Sequence, residues 1–308
     1  MIPVSGTTRV FPVIGWPVEQ VKAPAIYNAY FAKHNIDAVC VPMRVAPQHY
    51  ADFVRSLMSA PNVGGICVAI PHKAATIHVG DSATPAALAA GAANVIFRNK
   101  DGLIIADLID GEGFVRALDV TATPTGFDYR GSSALMVGCG GVGSAIAASL
   151  AERGIAGLGL VDIDSVVASS LAERLRKHYP ATVVTVMTTG HVDETGYDLL
   201  VNGTPLGMNP GDAMPFSVER AKRSAVIADC GMKTENTELL RVASERGHRT
   251  QKGKEMLFEQ APLYMERFGW PGVTADEFRA LGVLLISPIF RWTRSRLLAR
   301  WRVSSIRM

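Results

Sequence analysis

Apolar residues along this chain fall into two rhythms. Short apolar runs bounded by Gly, Pro or Asp occupy residues 9–15, 37–41, 65–70, 134–138, 157–162, 182–187, 198–202 and 225–229, and predict strands. Residues 92–97 and 103–106 read as a strand pair turning at Lys100-Asp101-Gly102. Helix-spaced stretches lie at 25–34, from Pro47 towards Ser59, at 141–153 closed by Gly154, and at about 255–268. A further helix is predicted to start near Asp110, whose short carboxylate suits an N-cap. After a Thr-, Pro- and Gly-rich stretch at 121–131 the pattern becomes repeated strand–helix units. The expectation is an α/β protein whose second half is a doubly wound sheet. The last long helix is long enough to pack back on the first half.

The chain has 308 residues, 48% of them apolar and 19% charged, which argues for two globular domains and against global disorder. Cys40, Cys67, Cys139 and Cys230 are widely spaced and form no C-x-x-C, so neither a disulfide framework nor a metal site is expected. Pro3, Gly6, Thr7 and Thr8 interrupt any N-terminal apolar segment, and no run is long enough to span a bilayer. A soluble cytoplasmic protein is the expectation.

The net charge of +3 conceals an asymmetry. Seven arginines and no acid lie from Arg279 onwards, and removing them leaves residues 1–278 at −4. Nucleic acid is therefore not an expected partner. Residues 289–308 carry six arginines among Trp292, Leu297, Leu298, Trp301 and Val303. That tail reads as an anionic-membrane contact, a solvated extension or an oligomer arm. Monomer and homodimer both remain open.

The segment from Leu135 to Gly143 is a strand running into Gly138-x-Gly140-Gly141-Val142-Gly143 and then a helix of small residues. The first glycine permits the tight turn, and the second lets a pyrophosphate approach the backbone. The third allows close packing of helix on strand. Asp162 follows Gly143 by nineteen residues, at the end of the next strand, where an acid would bind the adenosine ribose hydroxyls. A purely structural glycine turn, with Asp162 or Asp164 capping the following helix, is the alternative. No cation occurs in Asp162-Ile163-Asp164-Ser165, so NAD is expected in preference to NADP.

Lys73 stands just beyond the strand at 65–70, and Asp110 at a strand-to-helix turn. A lysine held by a carboxylate can take a proton from an alcohol and return it to a ketone. On residues alone, two charges 37 positions apart read more often as separate surface groups. The motifs around them carry a resemblance. Ile14-Gly15-Trp16-Pro17 with Pro24 and Asn28, Ile70-Pro71-His72-Lys73 and Gly91-Ala92-Ala93-Asn94 are similar, in this order, to motifs of the shikimate/quinate dehydrogenase family. So are Asp107 to Gly111, Asn202-Gly203-Thr204-Pro205-Leu206-Gly207-Met208 and residues 253–260. Together they span roughly residues 9–270.

The resemblance implies an N-terminal α/β substrate domain of residues 1–111, joined by C-terminal helices from 253–308. It also implies a Rossmann-type dinucleotide domain at 112–252, and a cleft between the two. It implies that Lys73 and Asp110 form the catalytic pair and that Asn94 and Gln260 touch a small cyclic hydroxylated substrate. Without it, Asn94 reads as a turn residue and Gln260 as a solvated helix position. Thr204, Pro205 and Leu206 would lie beside the nicotinamide.

The sequence also departs from the family. The family's S-x-S-P carboxylate clamp is here Val21-Lys22-Ala23-Pro24, and its N-V-T-x-P is Cys67-Val68-Ala69-Ile70-Pro71. Leu108 and Ile109 replace Asn and Thr of D-N-T-D-G, and Met232 stands where tyrosine is usual. Each change is expected to strip a polar group from the pocket, leaving Glu19, Gln20 and Lys22 nearby. The expected activity is a shikimate dehydrogenase-like oxidoreductase with an altered substrate. A cofactor-binding regulatory or scaffold protein that has lost activity is the alternative.

Overall fold

Strand β1 (Arg9–Gly15) sends alternate side chains into two cores: Phe11 and Val13 into one, Ile14 into the other. That alternation suits a strand with both faces of its sheet covered. The structure is a computed structural model describing residues 4–19, 21–122, 126–189, 192–209, 211–234 and 236–282. After β1 come α1 (Ala23–Lys33), β2 (Ala38–Arg44), a 3-10 turn at Pro47–His49, α2 (Tyr50–Leu57), β3 (Gly65–Val68) and the single turn α3 (Lys73–Thr76). Then follow β4 (Ser82–Ala83), α4 (Pro85–Ala90), β5 (Val95–Arg98), β6 (Ile104–Asp107) and α5 (Asp110–Thr121).

Next are β7 (Ser133–Val137), α6 (Gly141–Glu152), β8 (Gly157–Val161), α7 (Ser165–His178) and β9 (Val183–Met187). The described elements end with β10 (Leu199–Asn202), β11 (Val226–Asp229), α8 (Glu238–Glu245), β12 (Arg249–Lys252), α9 (Gly253–Arg267) and α10 (Ala275–Arg279). The chain forms two compact units: one from the described residues of Met1–Ala117 and Glu255–Ser287, the other from those of Leu118–Lys254.

The first unit holds a mixed sheet of order β2-β1-β3-β5-β6-β4. β1 runs parallel to β2 and β3, β5 antiparallel to β3 and β6, and β4 parallel to β6. Phe11, Val13, Cys67 and Val95 pack with Tyr27, Tyr30 and Phe31 of α1, Leu263, Tyr264 and Met265 of α9, and Phe278 of α10. Ile14, Ile66, Val68 and Ile96 pack on the opposite core with Tyr50 and Val54 of α2. Both faces are therefore covered, which explains why these strands read as continuous apolar runs. Asn28 of α1 braces the edge strand β2: its amide donates to the Cys40 carbonyl at 2.9 Å and accepts the Cys40 N–H at 2.7 Å.

The second unit is wholly parallel, with order β12-β11-β10-β7-β8-β9. Leu135, Val137, Leu200 and Ile227 pack against Leu239, Leu240 and Ala243 of α8. The small residues of α6 are buried from Gly143 to Ala151, and Gly154 closes that helix with φ +81°. This is the doubly wound arrangement. No helix among the described residues is long and apolar enough to cross a membrane.

Two expectations are corrected. The helix expected from Pro47 to Ser59 is a 3-10 turn followed by α2, which stops at Leu57. Asp110 is not an N-cap but the first residue of α5, because its carboxylate is taken by two side chains described next.

Candidate active site

The parallel strands β1, β2 and β3 end at the same edge of the first sheet, and Lys73 opens α3 just after β3. Its Nζ lies 2.5 Å from Asp110 Oδ2. The two side chains are only 17% and 8% exposed, so this is not a surface salt bridge. Removing one partner of a buried pair typically costs about 3–5 kcal/mol, because the other charge is left uncompensated. Gln260 of α9 donates its Nε2 to Asp110 Oδ1, and both carboxylate oxygens are thus engaged. α9 can approach because residue 113 is glycine: a Cβ there would lie 2.8 Å from the Met256 carbonyl and 2.9 Å from Gln260 Cβ.

Asn94 is buried, and all its polar groups but one N–H find partners. Its Oδ1 accepts the Ile109 N–H at 2.9 Å, and its Nδ2 donates to the Tyr264 hydroxyl at 3.1 Å. Neither Asn94 as an open turn residue nor Gln260 as a solvated one survives, since both are buried. Asp107 accepts from Thr84 Oγ1 at 2.6 Å, from the Leu108 N–H at 2.8 Å and from Arg267 Nε at 2.9 Å.

His72 is buried next to Lys73. Its Nε2 donates to the Val45 carbonyl at 2.9 Å, and its ring stacks on Tyr50 at 4.2 Å. Burial lowers the pKa of the imidazole, with the Val45 hydrogen bond opposing. Thr76 Oγ1 donates to the His72 carbonyl at 2.8 Å and accepts from Tyr50 at 2.7 Å.

Val21 and Ala23 are half-buried and pack against the core of Phe11 and Tyr27. Ala69 abuts Gly15, on which a Cβ would lie 3.2 Å from Ala69 Cβ. Leu108 and Ile109 are buried, and the Ile109 N–H serves Asn94. Glu19 pairs with Arg44 at 3.2 Å, and the Arg44 guanidinium lies over the Trp16 ring at 4.4 Å. Lys22 precedes α1 without capping it, and Gln20 lies outside the described residues.

In the second unit, the loops after β7 and β10 meet where the strand order reverses, the usual ligand position of such sheets. Gly138 has φ +93°, and a Cβ there would lie 2.7 Å from Thr204 Cγ2. A Cβ on Gly143 would fall 1.8 Å from the Gly138 carbonyl oxygen. Gly140 is exposed, and its Cβ would meet nothing within 4 Å. The glycines therefore divide into two that the fold itself demands and one that leaves open space before Gly141 and Val142 at the start of α6. The residues fit a dinucleotide pyrophosphate there.

Asp162 is half-exposed and accepts the Cys139 N–H at 2.7 Å and the Asp164 N–H at 2.9 Å. Asp164, not Asp162, caps α7, accepting the Val166 N–H at 3.0 Å. The buried Cys139 thiol is pushed up to about 12 by burial and by Asp162, so it is chemically quiet.

Beyond β10, Asn202 Oδ1 accepts the Thr204 N–H at 2.9 Å and its hydroxyl at 2.7 Å, and Asn202 Nδ2 donates to the Leu206 carbonyl at 3.0 Å. Thr204 Oγ1 accepts the Leu206 N–H at 3.1 Å, so Thr204, Pro205 and Leu206 form a fixed loop. Asp229 accepts from the Gly231 N–H at 2.8 Å and from Thr237 at 2.7 Å, and burial raises its pKa.

Tyr264 and Arg267 were not signalled as site residues by motif. The available signal was their position four and seven residues after Gln260, on the same helix face.

A doubly wound parallel sheet with a glycine loop and an acid at its next strand end, carried in one chain with a second α/β unit, is the arrangement of a dinucleotide-binding protein. Comparison with known proteins agrees. Residues 13–96 match the family described as shikimate dehydrogenase substrate binding domain, and residues 125–178 match the ThiF family. A protein of Rhodospirillum rubrum named shikimate dehydrogenase (NADP(+)) is 34% identical over 284 residues, 90% of this chain and 98% of that protein. The chain belongs to the shikimate dehydrogenase family. Shikimate 5-dehydrogenase of Listeria monocytogenes, solved with shikimate and NAD, shares the fold at a TM-score of 0.82 and 23% identity, covering 90% of this chain and 97% of that one. So does 5-ketofructose reductase of Gluconobacter sp. strain CHM43, at 0.81 and 23%, covering 90% and 98%.

Proposed function

We propose that this protein interconverts a secondary alcohol and a ketone on a small cyclic hydroxylated substrate, with Lys73 as acid/base. The observation that supports this most is the buried contact of Lys73 with Asp110, whose second oxygen is held by Gln260. When bound, a nicotinamide accepts the hydride in oxidation and supplies it in reduction. Lys73 Nζ takes the hydroxyl proton in one direction and returns it to the ketone oxygen in the other. Asp110 orients Nζ and balances the charge of its ammonium form. Asn94 and Gln260 offer their remaining amide groups to substrate hydroxyls, and Gly138, Gly140, Gly141, Val142, Gly143 and Thr204 to Leu206 hold the dinucleotide.

NAD is the preferred cofactor in this reading, because the half-exposed Asp162 carboxylate repels a 2′-phosphate and no cation follows it up to Ser165. Relatives are named for NADP(+), so on this reading the chain departs from them. The substrate lacks shikimate's carboxylate or carries it elsewhere, since Val21, Ala23 and Ala69 offer no hydroxyl to it. That the same fold serves a protein named for reducing a keto sugar is in keeping with such a substrate. The cytoplasm is the expected compartment.

The test is a panel of cyclic polyols, hydroxy acids and keto sugars with NAD and with NADP, followed by nicotinamide absorbance. On the best substrate, Lys73→Ala is expected to lower kcat by roughly 10²–10⁴-fold with cofactor affinity nearly intact. Near-normal turnover of that variant removes Lys73 from the mechanism.

A further inference from the structure

The hydroxyl of Tyr264 accepts from Asn94 Nδ2 at 3.1 Å and donates to the Asn94 carbonyl at 3.2 Å. Both residues are buried, and burial raises the phenol far above its ordinary range, so it remains an O–H at any working pH. Asn94 in turn sits where the two segments of the acid–base pair meet. Its neighbour Ala93 donates its N–H to the Lys73 carbonyl at 2.9 Å. The Asn94 N–H donates to the Asp107 carbonyl at 2.9 Å, and the Asn94 carbonyl accepts the Val68 N–H at 2.7 Å. Its side-chain oxygen takes the N–H of Ile109, the residue before Asp110.

The amide has one satisfactory orientation. Turning it over would point Nδ2 at the Ile109 N–H, donor against donor, in a region without solvent to repair the mismatch. Tyr264 reinforces that orientation from the other side. Along α9, Gln260, Tyr264 and Arg267 engage Asp110, Asn94 and Asp107 in turn, so one helix face grips the whole turn that carries the carboxylate.

We propose that Tyr264 is a positioning residue: through Asn94 its hydroxyl fixes the backbone segments that bring Lys73 and Asp110 into contact. The proposal rests on the reading of that pair as the acid–base centre, and the experiment has one arm that needs no turnover. Unmodified protein, Tyr264→Phe and, as a packing control one turn further along, Phe268→Leu are treated with trace acetic anhydride near pH 8. Acetylation of Lys73 is read by peptide mass spectrometry against the exposed Lys100. A Nζ that is hydrogen-bonded to Asp110 and only 17% exposed is shielded from the reagent, so loosening the pair opens it to acylation. Tyr264→Phe is expected to raise relative Lys73 labelling about fivefold, the weight of the one neutral hydrogen bond it loses at the Asn94 side chain. Phe268→Leu is expected to lower Tm without changing that ratio.

In the second arm, Tyr264→Phe shifts the pH profile of kcat on the best substrate of the panel, and Phe268→Leu does not. Unchanged Lys73 labelling in folded Tyr264→Phe, or an equal rise in Phe268→Leu, overturns the proposal. If no compound in the panel is turned over, it is the functional reading that fails, and the labelling arm still decides the role of Tyr264.

Discussion

Substituting alanine at two glycines of one loop separates what the fold requires from what a ligand requires. Gly140 has φ −69° and ψ −163°, a backbone that alanine adopts without strain, and its Cβ would project into open space. As the residue preceding α6, alanine is a poorer N-cap than glycine by up to ~1 kcal/mol. It also makes the unfolded chain less flexible, which returns ~0.4–1 kcal/mol. The two nearly cancel, and Tm without ligand should stay within about 2 °C of the unmodified protein. A pyrophosphate against the same backbone would be pushed off its N–H donors. Losing one charge-assisted hydrogen bond of ~1.5–3 kcal/mol weakens dinucleotide binding roughly 10- to 10²-fold. Gly143→Ala is the contrast: its Cβ falls 1.8 Å from the Gly138 oxygen, so backbone must move. Overpacking of ~1–3 kcal/mol or more should lower Tm by several degrees even without ligand. Thermal melts and titration of NAD and NADP by protein fluorescence measure both effects. Unaltered dinucleotide affinity in Gly140→Ala would refute the assignment of the open space to phosphate.

Three further outcomes are expected. NAD should bind or turn over better than NADP, with Asp162→Ala narrowing the gap; equal or better use of NADP by the unmodified protein would sink this preference. Shikimate should show a raised KM that Val21→Ser with Ala23→Ser lowers, and ordinary KM in the unmodified protein would show that Lys22 or Arg44 has taken over the carboxylate. Because the folded-state pKa of His72 is lowered from 6.5, its neutral form stabilises the fold fully above about that pH, and this contribution is lost as pH falls towards the folded value. Denaturant unfolding at pH 7.5 and 5.5 should therefore show a smaller loss in His72→Gln than in the unmodified protein, and equal losses would exclude His72 as a source.

The second unit was the more legible in sequence because its signals are local. Strands buried on both faces give uninterrupted apolar runs, and a glycine that must turn or be crowded has no substitute, so residues 134–143 carried both strand and loop. β12, with the sequence RTQK at the sheet edge, has no apolar alternation to mark it as a strand. α7 does carry a signal: Ala168, Leu171, Ala172 and Leu175 fall at helical spacing. In the first unit, Lys73 and Asp110 became meaningful only through motif resemblance, because nothing local reveals a contact between residues 37 apart. Tyr264 was silent for a further reason: an aromatic on an apolar helix face reads as core, and its hydroxyl partner lies 170 residues away.

The first unit is built from two stretches of chain with residues 118–254 between them. During synthesis, then, Phe11, Phe31 and Val95 emerge long before Tyr264, Met265 and Phe268, which belong to the same core. At ribosomal rates of ~5–20 residues per second, the wait lasts roughly ten to thirty seconds. The second unit, whose described residues are contiguous in sequence, can close meanwhile. The nascent first sheet has α1 on that face but keeps the part that α9 covers open for that interval, and so has a window in which a chaperone, or another unfinished chain, competes with α9 for the same surface.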